Sequence, residues 1–485
     1  MSLSNALSNA LSGIAAASRG TEVVASNLAN AMTPGFARRE LQMASRPFVA
    51  AGGGVQVDGV TRVLRNSVLA QGRLASAETA RAQALASFHA SVSDAVGVPG
   101  EPGALTTVLA DFDSALVAAA ARPESEAGLA RVLSAARTLA GTYHAVGERV
   151  QEARGTADRA IAADVDALNA GLGRVVELNR QITIQLAGGD DANSLMDERQ
   201  RIVDRLSEIV PIKELPREGG RIALFTAAGG TLLDGVTPAR FAFSPVPVMT
   251  AEATGAPAVG LLTLNGEEVP PAQMGRFAGG RLAASFQIRD VDGPQAQARL
   301  DAAAKDLHDR FADGGLDLTL TAGAAGLFTD ASAAAAFPPG PGLAQRLAVN
   351  AAVDPAAGGA LWRLRDGLQA VAPGPVGNPG LLIGMQQALG APRPSFLAGT
   401  SAAPRTAATL AAELTSLAAS GRVDAERVLS GATAQSSTFE AMLQQDGVDS
   451  DREMETLLAL ERAYAANAKV LKAVDDMLQT MLRLT

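Results

Sequence analysis

Three histidines, His89, His144 and His308, and no cysteine are the soft or titratable ligands this 485-residue chain offers. An imidazole holds a metal or moves a proton when a second histidine or a carboxylate stands at ligand spacing. Each histidine here lies in a helical pattern whose nearby acids read as helix-surface charge, so no metal site is assigned. GGDDANSLMDE, residues 188–198, has the acids of a calcium loop, but Leu195 stands fifth from Asp191 and no glycine follows at the sixth place. It reads instead as a helix start, with Ser194 and Asp197 as a capping pair. AAGGGVQVDG and TAAGGTLLDG lack the lysine and the strand-to-helix context of a phosphate loop and read as hairpin turns. Asp475-Asp476 and Glu267-Glu268 are neighbours whose side chains point apart, and they read as solvated charge. Trp362 and the few other aromatics read as packing, with no interleaved basic face for stacking bases. The resulting expectation is a protein with no catalytic residue, no metal and no cofactor, and not an enzyme.

What remains is amide chemistry. In SNLANAMTPGFARRE, residues 26–40, Asn27 and Asn30 each carry a donor and an acceptor on one side chain. They can bond across subunits, with Pro34-Gly35 turning the chain outward and Phe36 anchoring the turn. The alternative is that both asparagines cap their own helix end and Phe36 fills a core. Before residue 38 the only charged side chains are Arg19 and Glu22, a neutral surface suited to being covered. Net charge is −9 and only four of the 41 basic residues are Lys, so no basic face points to nucleic acid or anionic lipid. The absence of cysteine leaves the redox compartment open. No run nears the ~20 apolar residues of a membrane span, and the start of the chain lacks the basic region of a cleaved secretion signal.

Both ends repeat one pattern. Leu3, Leu7, Ala10, Ile14, Ala17, Thr21, Val24, Leu28 and Ala31 step by four and three, a heptad seam that Pro34-Gly35 should stop near Ala31 to Thr33. Leu457, Leu460, Tyr464, Asn467, Leu471, Val474, Leu478 and Met481 step likewise, with Asp449 or Ser450 as cap. Leu458, Val470, Met477, Leu482 and Leu484 widen this second stripe, enough for two neighbours at once. Asn467 is an amide within an apolar seam, where it sets register or partner number.

Between the ends, 66–186 reads as long Ala-rich helices in which Gly155, Gly171 and Gly173 are tolerated, and 194–210 as a helix closed by Pro211. From Ile212, short β-prone runs separated by Gly-Gly and Asn-Gly turns, GRLAASFQI among them, predict a small antiparallel domain. Helix returns at 294–311 and around 405–445, while FPPGPG, APGPVGNPG and APRP make 331–394 loops or a reduced outer region. The expected fold is mainly α with an inserted antiparallel β domain, a multidomain α+β chain whose N- and C-terminal helices form a coiled-coil-like assembly domain. The expected domains are 1–60 with 445–485 for assembly, 61–211 with 290–444 for the long helices, and 212–289 for the β insert.

ASNLANAMTPGF near one end and GVDSDREMETLLALERAYAANAKVLKAVDDMLQTMLRL at the other resemble the axial proteins of the bacterial flagellum: rod, hook and hook-associated proteins. LMDERQRIVDRLSEIV running into a Gly-rich β segment that ends in LLDG, and LAQRLAVNAAVDP at 343–355, are similar to the hook-associated members that join hook to filament. Phe36 stands where many relatives carry Tyr, and Asp449-Ser450-Asp451 is more polar than the family's usual approach to the last helix.

The resemblance implies a structural subunit at the hook-filament junction, required for filament assembly, exported by the flagellar type III route and extracellular after a cytoplasmic stage. It implies as partners the hook protein, a second junction protein, further copies of the chain in a ring or helix, and an export chaperone on the C-terminal helix. Another axial protein of hook or distal-rod kind, or a helical type III secreted effector, is the alternative. The expected subunit-interface residues are Leu3, Leu7, Ile14, Val24, Asn27, Leu28, Asn30, Pro34, Gly35 and Phe36, with Leu457, Leu460, Tyr464, Asn467, Leu471, Val474, Leu478 and Met481. The small-residue ends bury too little to offset ordering entropy alone, so 1–60 and 445–485 are expected to order only on assembly.

Overall fold

The computed structural model describes residues 3–45, 53–313, 315–331, 340–394, 397, 400 and 403–484. Part of AAGGGVQVDG, part of FPPGPG and the side chain of Leu484 lie outside the described residues. The chain opens with helix α1 (Leu3–Ala29), then strands β1 (Arg39–Ser45) and β2 (Val55–Arg62), which pair antiparallel. α1 ends slightly before the predicted stop, and turns carry the chain through Pro34 and Gly35.

Four helices follow: α2 (Asn66–Val96), α3 (Leu105–Ala121), α4 (Glu126–Gly188) and α5 (Asn193–Ile209). At 63 residues α4 is about 95 Å long and acts as the spine. Its start is fixed by Ser125, whose side chain accepts from Gly128 N–H, and its end by Gly189 in the left-handed region at φ 82°. Between these caps, buried residues recur every three or four positions, so one face stays apolar along the whole length.

The β insert holds β3 (Ile212–Pro216), β4 (Ile222–Thr226), β5 (Thr231–Asp234) and β6 (Thr237–Pro238) in one antiparallel sheet of that order. A second sheet holds β7 (Phe241–Ala242), β8 (Thr263–Leu264) and β9 (Glu267–Glu268). TAAGGTLLDG is the turn and second strand of the β4–β5 hairpin. GRLAASFQI is not a strand. Gly280–Gln287 is helix α6, buried on two sides, with Gly280 and Ala284 on one and Leu282 and Ser285 on the other, and it runs through a π-turn into α7 (Gly293–Phe311).

Beyond α7 come β10 (Phe328–Asp330), α8 (Leu343–Arg346), β11 (Leu347–Val349), α9 (Arg363–Asp366), α10 (Gly380–Gly390), β12 (Arg393–Pro394) and β13 (Pro404–Arg405). The region read as loops thus contains an eleven-residue helix, α10, whose Leu382, Met385 and Leu389 sit at helical spacing and enter the core. Two long helices, α11 (Ala407–Gln445) and α12 (Ser450–Leu484), close the chain.

Two cores lie along α4. One joins its first half to α3, α7, α10 and α11 around Phe112, Phe311 and Phe328, whose ring centroids are 5.3–5.9 Å apart. The other packs its second half against α5 and the β insert through Leu168, Leu172, Leu178, Leu206, Leu224 and Phe241. Gly171 permits this second approach, since a Cβ there would lie 2.6 Å from Leu206. α2 and α11 form a long antiparallel pair in which Gly72 faces Phe439 and Gly421 faces His89.

Phe112 is fully buried in the aromatic cluster. Phe112→Ala should lower stability by about 3–5 kcal/mol through lost burial and a cavity, measured as a lower denaturant midpoint with an unchanged slope.

Candidate functional site

The elements at the two ends of the chain meet. α1 and α12 run antiparallel with a seven-residue register: Gly13 faces Asn467, Gly20 faces Leu460, and Asn27 faces Glu453. A Cβ on Gly13 would stand 2.6 Å from the Asn467 amide nitrogen, and one on Gly20 2.9 Å from a Leu460 methyl. The edge of α1 turned inward is therefore its small-residue edge, with Ala10, Ala16, Ala17, Gly20, Val23, Val24 and Asn27 buried. Of the heptad seam, Ala10 and Ala17 are on this buried edge. Val24 is buried, but Leu3, Leu7 and Ile14 are half-buried and Leu28 is exposed. The reason is steric: glycine and alanine let the α12 backbone come close, while the branched side chains fall to the flanks.

On α12 the inward edge is Glu453, Leu460, Asn467 and Val474, with Leu457 and Leu471 half-buried beside it. Tyr464, Leu478 and Met481 of the expected seam are exposed. So is an apolar row on either flank: Met454 and Leu458 on one, Val470, Met477 and Met481 on the other, each at one-face helical spacing. Asn467 donates to Ala463 O at 2.9 Å, one turn back in its own helix, and fills the notch at Gly13.

Asn27 is the tightest point of the pair, and its amide is used within the chain. Its Oδ1 accepts from Arg39 N–H at 2.9 Å, and its Nδ2 donates to Arg39 O at 2.9 Å and to Glu453 Oε2 at 3.1 Å. Glu453, buried in α12, also accepts from Arg38 Nε at 2.7 Å. Asn30 donates to Ser26 O at 2.9 Å and closes its own helix end. Within one copy both amides find partners locally, as a buried amide must: the strand after the turn supplies those of Asn27, and the helix's own last turn supplies that of Asn30. Pro34 is exposed. Gly35 is required twice over, by φ 75° and by the Arg201 stem, 2.3 Å from where a Cβ would sit. Phe36 is half-buried under the Arg39 guanidinium, 5.0 Å from its ring centre.

A charged joint ties this terminal unit to α5. Arg39 Nη2 donates to Ser194 Oγ at 3.0 Å, Arg62 Nε pairs with Asp197 Oδ1 at 2.7 Å, and Asn193 Nδ2 donates to Val60 O at 2.8 Å. Ser194 and Asp197 are therefore anchors for arginines and not a capping pair. The helix starts after Ala192 with no side-chain N-cap, and Asp191 Oδ1, one residue earlier, accepts from Asn193 N–H at 2.7 Å. Burial pushes the Asp197 carboxyl up, and Arg62 and Arg39 offset only part of that. Its linkage contribution is present at acid pH and is lost as pH rises through its folded-state value. Where α1, α2, α5 and α11 converge, a cavity of about 430 Å³ is lined by Phe36, Arg38, Gln200, Asp204 and Asp446 among others.

Arg38, Arg39, Arg62 and Glu453 were missed by sequence reasoning. Asp451, Glu453 and Glu455 are equivalent acids at the positive start of α12 in sequence terms, and only the partner brought by the fold separates Glu453 from the other two. Asp449 does cap α12, accepting from the N–H groups of Asp451 and Arg452. The histidines lie far apart in use: His144 Nε2 is 2.6 Å from Leu347 O, and His308 Nδ1 is 3.0 Å from Asp309. Among the described residues no three His, Asp or Glu are grouped to hold a metal, and no helix is long and apolar enough to cross a membrane.

Three family models match the chain in sequence order. A flagella basal body rod protein model covers residues 7–36, the flagellar hook-associated protein FlgK helical domain covers 90–326, and the flagellar basal body rod FlgEFG protein C-terminal model covers 440–484. Flagellar hook-associated protein 1 of Escherichia coli is 25% identical over 302 residues, 60% of this chain and 53% of that protein. The protein of that name from Bacillus subtilis is 24% identical over 259 residues, 47% of this chain and 50% of its own length. The chain spans about half the length of the curated relatives it matches. A solved flagellar hook junction protein from Burkholderia pseudomallei is 20% identical with a TM-score of 0.44, covering 54% of this chain and 46% of that one.

Gly20→Leu should cost the terminal pair about 1–3 kcal/mol through overpacking, and Leu460→Ala in the same chain should recover part of it, read as a double-mutant cycle by hydrogen exchange in α1 and α12. Arg38→Ala leaves the buried Glu453 carboxylate short of its cation and should cost about 3–5 kcal/mol. Glu453→Gln in that background should restore protection of the first turns of α12.

Proposed function

We propose that the chain, which matches flagellar rod and hook-associated protein models at both ends and over its helical middle, is a structural subunit joining hook to filament. The single observation that carries this reading is the α1–α12 pair. One face is satisfied internally through Asn27 and Glu453, while apolar rows stand uncovered on both flanks of α12. Burying a large apolar side chain is worth roughly 1.5–3 kcal/mol, so two such rows favour lateral contact with sister copies. The internal seam then sets the angle at which each copy presents them. Tyr464, Leu478 and Met481, with Leu28 of α1, are the expected interface residues this surface retains.

In this reading the partners are the hook protein on one side, a second junction protein on the other, and further copies around the axis. A chaperone covers α12 before export by the flagellar type III route, and the protein works outside the cell. The long spine α4 and the β insert form the outer body, carried on the hairpin joint to α5.

The test is electron microscopy of flagella from a strain lacking the gene. Hooks without filaments are expected, and missing hooks would assign the chain to rod or hook. Leu458→Asp changes an exposed residue and should leave the circular dichroism spectrum unchanged while abolishing filament growth. Normal filaments from that variant would remove the flank from the interface.

A further inference from the structure

The chain has eleven methionines, and their exposure divides sharply by position. Met32, Met43, Met454 and Met477 are 94%, 55%, 43% and 55% exposed, and Met442 and Met481 are exposed as well. All six lie in the turn after α1, in β1, at the end of α11 or in α12. In the body of the protein Met249 and Met385 are buried and Met196 and Met274 half-buried. Thioether sulfur is the one group in a cysteine-free chain that common oxidants convert reversibly. Three of these six, Met454, Met477 and Met481, stand on the rows assigned to subunit contact.

We propose that the terminal methionines, Met454 and Met477 above all, are a modification site for peroxide-class oxidants whose oxidation blocks assembly. The consequence for assembly rests on the reading of α12 as a contact surface. The sulfur lone pair attacks one oxygen of hydrogen peroxide, the O–O bond breaks, and the departing hydroxide takes the proton of the transferred oxygen to leave as water. Sulfur loses two electrons, the peroxide gains two, and a sulfoxide remains. Its S=O dipole stands in an apolar row, where covering it by a neighbour strips its water without offering a donor. A methionine sulfoxide reductase reverses the change. The buried Met249 and Met385 are shielded from the same reagent.

The test uses the purified full-length protein treated with hydrogen peroxide. Peptide mass spectrometry should find Met454 and Met477 converting roughly tenfold or more faster than Met249 and Met385, whereas equal rates overturn the site. Untreated and oxidised protein are then supplied to cells of a strain lacking the gene, and filaments are counted. Oxidised protein should restore few, reductase treatment should recover them, and a Met454→Leu, Met477→Leu, Met481→Leu variant should resist peroxide. Full activity of the oxidised protein, or equal inactivation of the leucine variant, overturns the inference. Failure of the untreated protein to restore any filament sinks the junction reading and this inference with it.

Discussion

The amide of Asn27 decides how the two ends of this chain hold each other. It bonds both backbone groups of Arg39 and reaches the Glu453 carboxylate, so one side chain ties α1, the start of β1 and α12 together at a single point. Seven and fourteen residues back along α1, Gly20 and Gly13 receive Leu460 and Asn467. A polar clasp at one end and two glycine notches along the seam specify the register. Apolar contact alone, between an alanine-rich helix and a leucine-rich one, tolerates sliding. An internal polar partner at one seam position is the usual device for preventing it.

The same economy of arginine runs through the body of the protein. Arg154 is buried and donates to the carbonyls of Arg289, Thr250 and Ala253, and Arg310 donates to those of Ala388, Ala391 and Arg405 while pairing with Asp306. A planar guanidinium presents five donors in a fixed fork, so one side chain on a helix can satisfy several carbonyls of an irregular segment packed against it. This is how the turns near Thr250 and Ala253 are held to α4, and the end of α10 and the strand just before α11 to α7. It also gives a use for a basic complement that is nearly all arginine.

Rigidity and reach are thereby combined. Two cores are seated on one continuous helix, in which Gly171 receives Leu206 and Gly147 receives Gln345 as packing notches. The terminal pair connects to this body through the hairpin, the Arg39 and Arg62 contacts to α5, and the α2–α11 pair, where Arg65 reaches Asp446. The junction role proposed above would need the contact helices held at a set angle to the body, and charged joints of this kind can hold one.

Much was legible without the fold. Periodicity of three and four residues located the long helices, Gly-Gly turns located the hairpin at 226–235, and the paired seams with the TPG break marked both ends as one unit. These signals are local, and local propensity with apolar spacing is what a linear chain displays. The strand assigned to 280–288 and the loops assigned to 380–390 failed because short segments take their form from the surface they pack on. Which edge of α1 turns inward, that Asn27 is satisfied at home, and that Glu453 rather than Asp451 or Glu455 is buried were settled by tertiary contact alone. Each depends on a partner hundreds of residues away or on the far side of a turn, and side-chain spacing along one helix carries no record of how closely a second backbone will approach it.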